Sequence, residues 1–166
     1  MKFNILLFTI IVGFLASCAT STPQPEKTQL QIREFQTRSY ENIEQLQAMK
    51  AVANALQDDG FIIKDAEVAL GIISAGKEVD VESGWDAFFS ALAYGTQARW
   101  NKSMIIESTA NVSEFGEKVK VRVNFQAKVL NNKGEVVEVA QIEDEKYYQD
   151  FFAKVDKGIF IEKEGI

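Results

Sequence analysis

The 166-residue chain contains no histidine, one cysteine and two prolines. Without histidine there is no Ser-His-Asp or Cys-His nucleophile and no imidazole base. The usual zinc sites go with it, since they need His or Cys ligands. A single cysteine leaves no intramolecular disulfide, so packing alone must hold the fold. Catalysis would fall to carboxylates, Lys, Tyr or Ser, and neither a convergent acid pair nor a glycine-rich phosphate loop can be placed along the chain. The residues therefore point away from an enzyme and imply no cofactor. Positive charge is also short: 18 Lys and Arg stand against 24 Asp and Glu, a net charge of -6. A nucleic-acid partner is disfavoured, because phosphate binding needs a cationic surplus.

What is present is enough for one domain. Apolar residues make up 46% of the chain, with 12 phenylalanines for a core, and 25% of residues are charged. The N-terminus has its own character. Lys2 precedes an apolar run from Phe3 to Leu15, and Leu15-Ala16-Ser17 lead into Cys18. That run is shorter than the roughly 20 residues a membrane span needs. Small residues ending in cysteine resemble a bacterial lipoprotein signal, which implies that residues 1–17 are removed and that Cys18 is lipidated. Ala19, where many inner-membrane lipoproteins carry Asp, implies by the same resemblance the periplasmic face of the outer membrane. Residues 18–28 read as a tether: Ala19 to Lys27 holds both prolines and no large apolar side chain. Its nine residues, at about 3.5 Å each, reach about 30 Å.

From residue 29 to 166 we expect a single α+β domain. Leu30 and Ile32 alternate with Gln29, Gln31 and Arg33, which predicts a strand over Gln29–Thr37. Ile43, Leu46, Met49, Ala53 and Leu56 recur every three or four residues and predict a helix starting near Ser39–Asn42, with Gly60 just past its end. Phe61–Asp65 and Gly71–Val79 read as a hairpin under that helix, Gly71 marking a turn and Gly76 a bulge or close approach. Trp85, Phe88, Phe89 and Leu92 share one face of a short helix within Val81–Gly95, behind a Ser83/Asp86 capping pattern. Alternation over Met104–Val112, unbroken alternation over Val119–Val129, the Asn131–Gly134 turn and Val136–Ile142 predict antiparallel strands with one wet face. A last helix, Glu143–Lys157, carries Tyr148, Phe151, Phe152 and Val155 as its apolar stripe. The expected fold is an antiparallel sheet of about five or six strands, two main helices on one face and a short extra helix.

Several residues stand out as candidate contacts. Trp85, Phe88, Phe89 and Trp100 are aromatic side chains suited to a partner or membrane surface, although covering a sheet end is their commoner use. Lys120, Arg122 and Lys128 form an outward basic row that suits an anionic polymer or lipid headgroup, or simply solvates the strand. Asp58 and Asp59 at a helix C-terminus oppose the helix dipole, which makes them weak metal candidates or turn formers. Phe125, Phe151 and Phe152, joined by Trp85 or Phe88, are candidates for gripping an apolar ligand between the last helix and the sheet.

Leu56-Gln57-Asp58-Asp59-Gly60-Phe61, Leu70-Gly71 and Tyr147-Tyr148-Gln149-Asp150-Phe151-Phe152 resemble stretches of a group of small, uncharacterised proteobacterial outer-membrane lipoproteins. That resemblance implies an envelope location and transfers no catalytic residue. In element order the chain is also similar to the helix-grip domains of lipoproteins in outer-membrane assembly. Together these readings imply a non-enzymatic, lipid-anchored protein with an envelope protein partner, the alternative being a carrier of an apolar ligand.

Overall fold

The computed structural model describes residues 27–80 and 103–165. Within them the order is α1 (Gln29–Phe35), β1 (Thr37–Glu41), α2 (Gln45–Asp58), β2 (Ile62–Glu67), β3 (Ile72–Asp80), β4 (Ser103–Phe115), β5 (Lys118–Leu130), β6 (Val136–Gln141) and α3 (Glu145–Glu164). The fold is α+β, as expected: a six-stranded antiparallel sheet and three helices.

The two 13-residue strands β4 and β5 are the frame. Their alternation puts Met104, Ile106, Ala110 and Val112 opposite Val129, Ala127, Val123 and Val121, all buried on one face. Sheet order is β1-β5-β4-β3-β2, and β6 joins β5 on the edge that β1 also uses. β1 pairs Lys118 to Arg122 and β6 pairs Gln126 to Leu130, so the two short strands lie end to end along β5. Between them, the Val123 amide donates to the Gln36 carbonyl and the Ile142 amide to the Phe125 carbonyl.

Both long helices cover the apolar face. α2 buries Ala48, Met49, Ala51, Val52, Ala55 and Leu56, and α3 buries Tyr148, Phe151, Phe152, Val155 and Ile159. The helices cross where Gly158 meets Ala51: a Cβ on Gly158 would come within 3.1 Å of the Ala51 methyl. Small residues on both sides allow this approach. Gly158 therefore lies inside α3, which runs seven residues beyond the expected Lys157 and ends at Gly165 in a left-handed conformation.

Two sequence expectations fail near the start. Gln29–Phe35 is a helix, not the beginning of a strand, because Thr28 and Gln31 form a reciprocal cap: the Gln31 amide donates to Thr28 Oγ1 and the Thr28 amide to Gln31 Oε1. The strand starts at Thr37 and occupies residues that were expected to open the next helix. That helix begins at Gln45, after Asn42 turns the chain at φ 55°. The β2–β3 hairpin is as expected. Gly71 turns at φ +64° against the Val112 carbonyl, and Gly76 leaves room for the Lys64 side chain to lie across it.

Candidate functional site

Between α3 and the sheet, the aromatic side chains meet one another. Phe125 touches Tyr147, Tyr148 and Phe151 at ring-centroid distances of 5.0, 5.5 and 5.2 Å, and Phe151 touches Phe152 at 5.6 Å. Phe35 from α1 closes on Tyr148 at 5.1 Å and Phe61 on Phe125 at 5.7 Å. Phe125, Tyr148, Phe151 and Phe152 are at most 2% exposed. Of the residues expected to grip an apolar ligand, Phe125, Phe151 and Phe152 thus pack together. The Tyr148 hydroxyl reaches the space between β1 and β6, where it accepts from the Phe125 amide at 3.2 Å and from Gln36 Nε2 at 3.1 Å. Burial raises its pKa, and the two bonds it accepts oppose that rise.

The opposite face of the sheet carries the basic row, which the register sorts into two groups. At one end, Lys120 pairs across to Ser39 and Ser113, and Arg122 to Thr37 and Asn111. Both cations are exposed, and the Lys120 ammonium lies 4.6 Å from the centre of the Phe115 ring. At the other end, Lys128 belongs to an ion-paired cluster. Its ammonium is 2.7 Å from Glu107, which also meets Lys64 at 3.1 Å and accepts from Gln126 Nε2 at 2.9 Å. Hydrogen bonds from Lys128, then Gln126, hold the Glu107 carboxyl down to about 2, against the effect of burial. Arg38, on the neighbouring strand β1, turns to the helix side. There it pairs with Asp156 at 2.5 Å and lies over the Phe152 ring. Tyr40 donates to the same Asp156 at 2.8 Å; burial and that bond raise its pKa.

Asp58 and Asp59 do not act as a pair. Asp58 is exposed at the end of α2, whereas Asp59 forms a salt bridge with Lys154 of α3, and the Lys77 ammonium donates to the Asp59 carbonyl at 3.0 Å. The charge that looks misplaced against the helix dipole is answered by a lysine 95 residues away in sequence. Burial lowers the pKa of Lys77, which lies over the Phe61 ring, and nearby Lys154 adds to that effect while Asp59 opposes it. Among the described residues no group of three or more acids, Cys or His is placed to hold a metal.

Sequence reasoning missed the cleft where α2 begins. It measures ≈ 590 Å³ and is lined by Asn42, Glu44, Gln47, Glu114, Glu117 and Lys118, among others. Glu114 is tied into the fold, accepting from the Gln45 amide at 3.3 Å. The Glu44–Gln47 spacing, whose cap has the Glu44 amide donating to Gln47 Oε1, was the available signal for this corner. Cys18, Trp85, Phe88, Phe89, Trp100 and the short helix expected in Val81–Gly95 lie outside the described residues. No described helix is long and apolar enough to cross a membrane.

No family model and no curated protein matches the chain. Among solved structures, it is similar to a TBP-like protein from Parabacteroides distasonis, at 13% identity and a TM-score of 0.37 over 74% of this chain and 90% of that one. It is also similar to a DUF4468 family protein from Bacteroides ovatus, at 11% identity and a TM-score of 0.36 over 74% of this chain and 84% of that one.

Proposed function

We propose that this protein is a lipid-anchored envelope lipoprotein, attached through Cys18 at the periplasmic face of the outer membrane, whose domain binds a protein partner and performs no catalysis. The reading starts from the Leu15-Ala16-Ser17-Cys18 stretch and the proline-bearing tether behind it. The observation that favours a contact module over an apolar-ligand carrier is the filled layer between α3 and the sheet. A carrier needs a hollow lined by apolar side chains, but Phe125, Phe151 and Phe152 occupy that layer in mutual contact. The polar side chains with shifted pKa values serve packing and ion pairing. Tyr40 and Arg38 clamp Asp156, and Lys64 and Lys128 share Glu107.

The test is in vivo crosslinking followed by pull-down of the mature protein, with a Cys18→Ala chain as control. A partner recovered only with the anchored form is expected. Recovery of no anchor-dependent protein would remove the reading, and a lipid copurifying in native mass spectrometry would favour the carrier.

A further inference from the structure

We propose that the open sheet face around Lys120 and Arg122 is the side that the domain turns toward its own membrane, where it meets anionic phospholipid headgroups. This rests on the reading of Cys18 as a lipid anchor and adds to it an orientation.

Charge complementarity carries the proposal. The register brings Lys118, Lys120 and Arg122 of β5 into one outward row between the hydroxyls of Thr37 and Ser39 on β1 and the polar Asn111 and Ser113 on β4. Lys118 has an exposed partner in Glu41, at 2.7 Å. Among the described residues no acid is bonded to Lys120 or Arg122, so this end of the face is cationic on a chain whose net charge is -6. Next to Lys120, the Phe115 ring is 61% exposed. An aromatic ring beside an ammonium at a strand end suits the boundary between headgroups and acyl chains.

The sign changes across the same face. Glu78 of β3 and Asp65 and Glu67 of β2 also point outward, as their register partners show. At the cationic end itself one further acid, Glu117 in the β4–β5 turn, stands next to Lys118. An anionic plane is therefore met along β1 and β5, with the β2 edge tilted away. β1 opens at Thr37, directly opposite Arg122, although the chain enters the domain on the helix side, where Lys27 donates to the Glu143 carbonyl and Phe35 meets Tyr148. The tether of about 30 Å leads into the helix just before β1.

The size of the effect fits a tethered domain and no other. Each cation near an anionic surface contributes about fivefold, so two together contribute about thirtyfold. That is too little to recruit a free protein. Once an anchor supplies an effective concentration in the millimolar range, a thirtyfold preference is enough to select one orientation.

The test uses the mature, acylated full-length protein reconstituted into vesicles of phosphatidylcholine alone or mixed with phosphatidylglycerol. With Cys18 acylated, Ser39→Cys offers one free thiol on the outward face and Gln57→Cys one on the helix side. Each carries a nitroxide whose collisions with an aqueous relaxant are measured. The label at 39 should become shielded in the anionic vesicles only, the label at 57 should stay exposed, and Lys120→Gln with Arg122→Gln should abolish the difference. Equal exposure in both vesicles, or shielding at 57 instead, overturns the proposal. Shielding at 39 by a soluble anionic polysaccharide, without any response to phosphatidylglycerol, also overturns it and reassigns the face. Failure of the anchor reading is seen separately, as an unacylated N-terminal peptide by mass spectrometry or as protein that does not float with the vesicles.

Discussion

The hydroxyl of Tyr148 takes the Phe125 amide hydrogen at 3.2 Å, in the one stretch of the β5 edge that neither β1 nor β6 pairs. A side chain from a helix thereby completes a sheet. Tyr148→Phe keeps the ring contacts and leaves two buried donors, the Phe125 amide and Gln36 Nε2, without their acceptor. We expect a loss of roughly 1 to 3 kcal/mol in urea unfolding at unchanged slope. Exchange of the Phe125 amide should quicken more than that of Val121 or Val123. Unchanged stability would show that the hydroxyl is dispensable there.

Glycines at two turns separate shape from space. At Gly71 a Cβ would overlap the Val112 carbonyl oxygen and the Gln45 side-chain Nε2, in addition to needing a positive φ. At Gly60, φ is +80° and nothing lies within 4 Å of a Cβ. Gly60→Ala should cost only the conformational term, about 1 to 2 kcal/mol. Gly71→Ala should cost about 3 kcal/mol or more, since the Val112–Gly71 pairing must also open. Thermal unfolding of the two variants side by side decides it, and equal losses would refute the contact.

The crossing of α2 and α3 gives a graded series. Gly158→Ala relieves the glycine penalty in a helix, about 1 kcal/mol, but requires the Ala51 backbone, 3.2 Å from the new methyl, to yield by a few tenths of an ångström. The two effects nearly cancel, and the stability measured by guanidinium unfolding should move by less than about 1 kcal/mol. Gly158→Leu has no such compensation and should lose about 3 kcal/mol by forcing the helices apart.

Acid should expose the Glu107 cluster. Its folded pKa of about 2 lies below the ordinary 4.5. The stabilisation is complete above pH 4.5 and disappears as pH falls through the folded value near 2. Because Glu107, Lys64 and Lys128 are all partly exposed, the contribution is about 1 kcal/mol. Glu107→Gln should flatten the stability profile between those two pH values, while an unaltered slope would mean that other carboxylates carry it.

The long strands were legible because one face of β4 and β5 is apolar but for the small Ser108 and the other mostly wet, so a period of two survives along both strands. The apolar stripe of α3 was equally plain. β1 was hidden because its two inward residues, Arg38 and Tyr40, are polar, and they face inward only because Asp156 awaits them on α3. α1 deceived for the opposite reason. Leu30 and Ile32 imitate strand alternation, yet Ile32 is buried and Leu30 is 78% exposed, so the apparent pattern never reflected a common face. The signal that outweighs it is Thr28 with Gln31. At the candidate site, the basic row was visible in β5, but its division was not. Lys128 joins Glu107 through a strand pairing, and a single sequence gives no measure of which opposite charges will be brought together.

The split edge of β5 has a consequence for association. A strand docking from outside would meet two successive short ribbons, five residues of β1 and six of β6, with a tyrosine hydroxyl at their junction. At the far border it would meet only six residues of β2, whose register is broken between Ile63 and Asp65. The two strands long enough to template a fibril lie inside the sheet. Among the described residues the sheet therefore offers each neighbour only brief, interrupted pairing, which favours separate molecules over sheet-to-sheet growth.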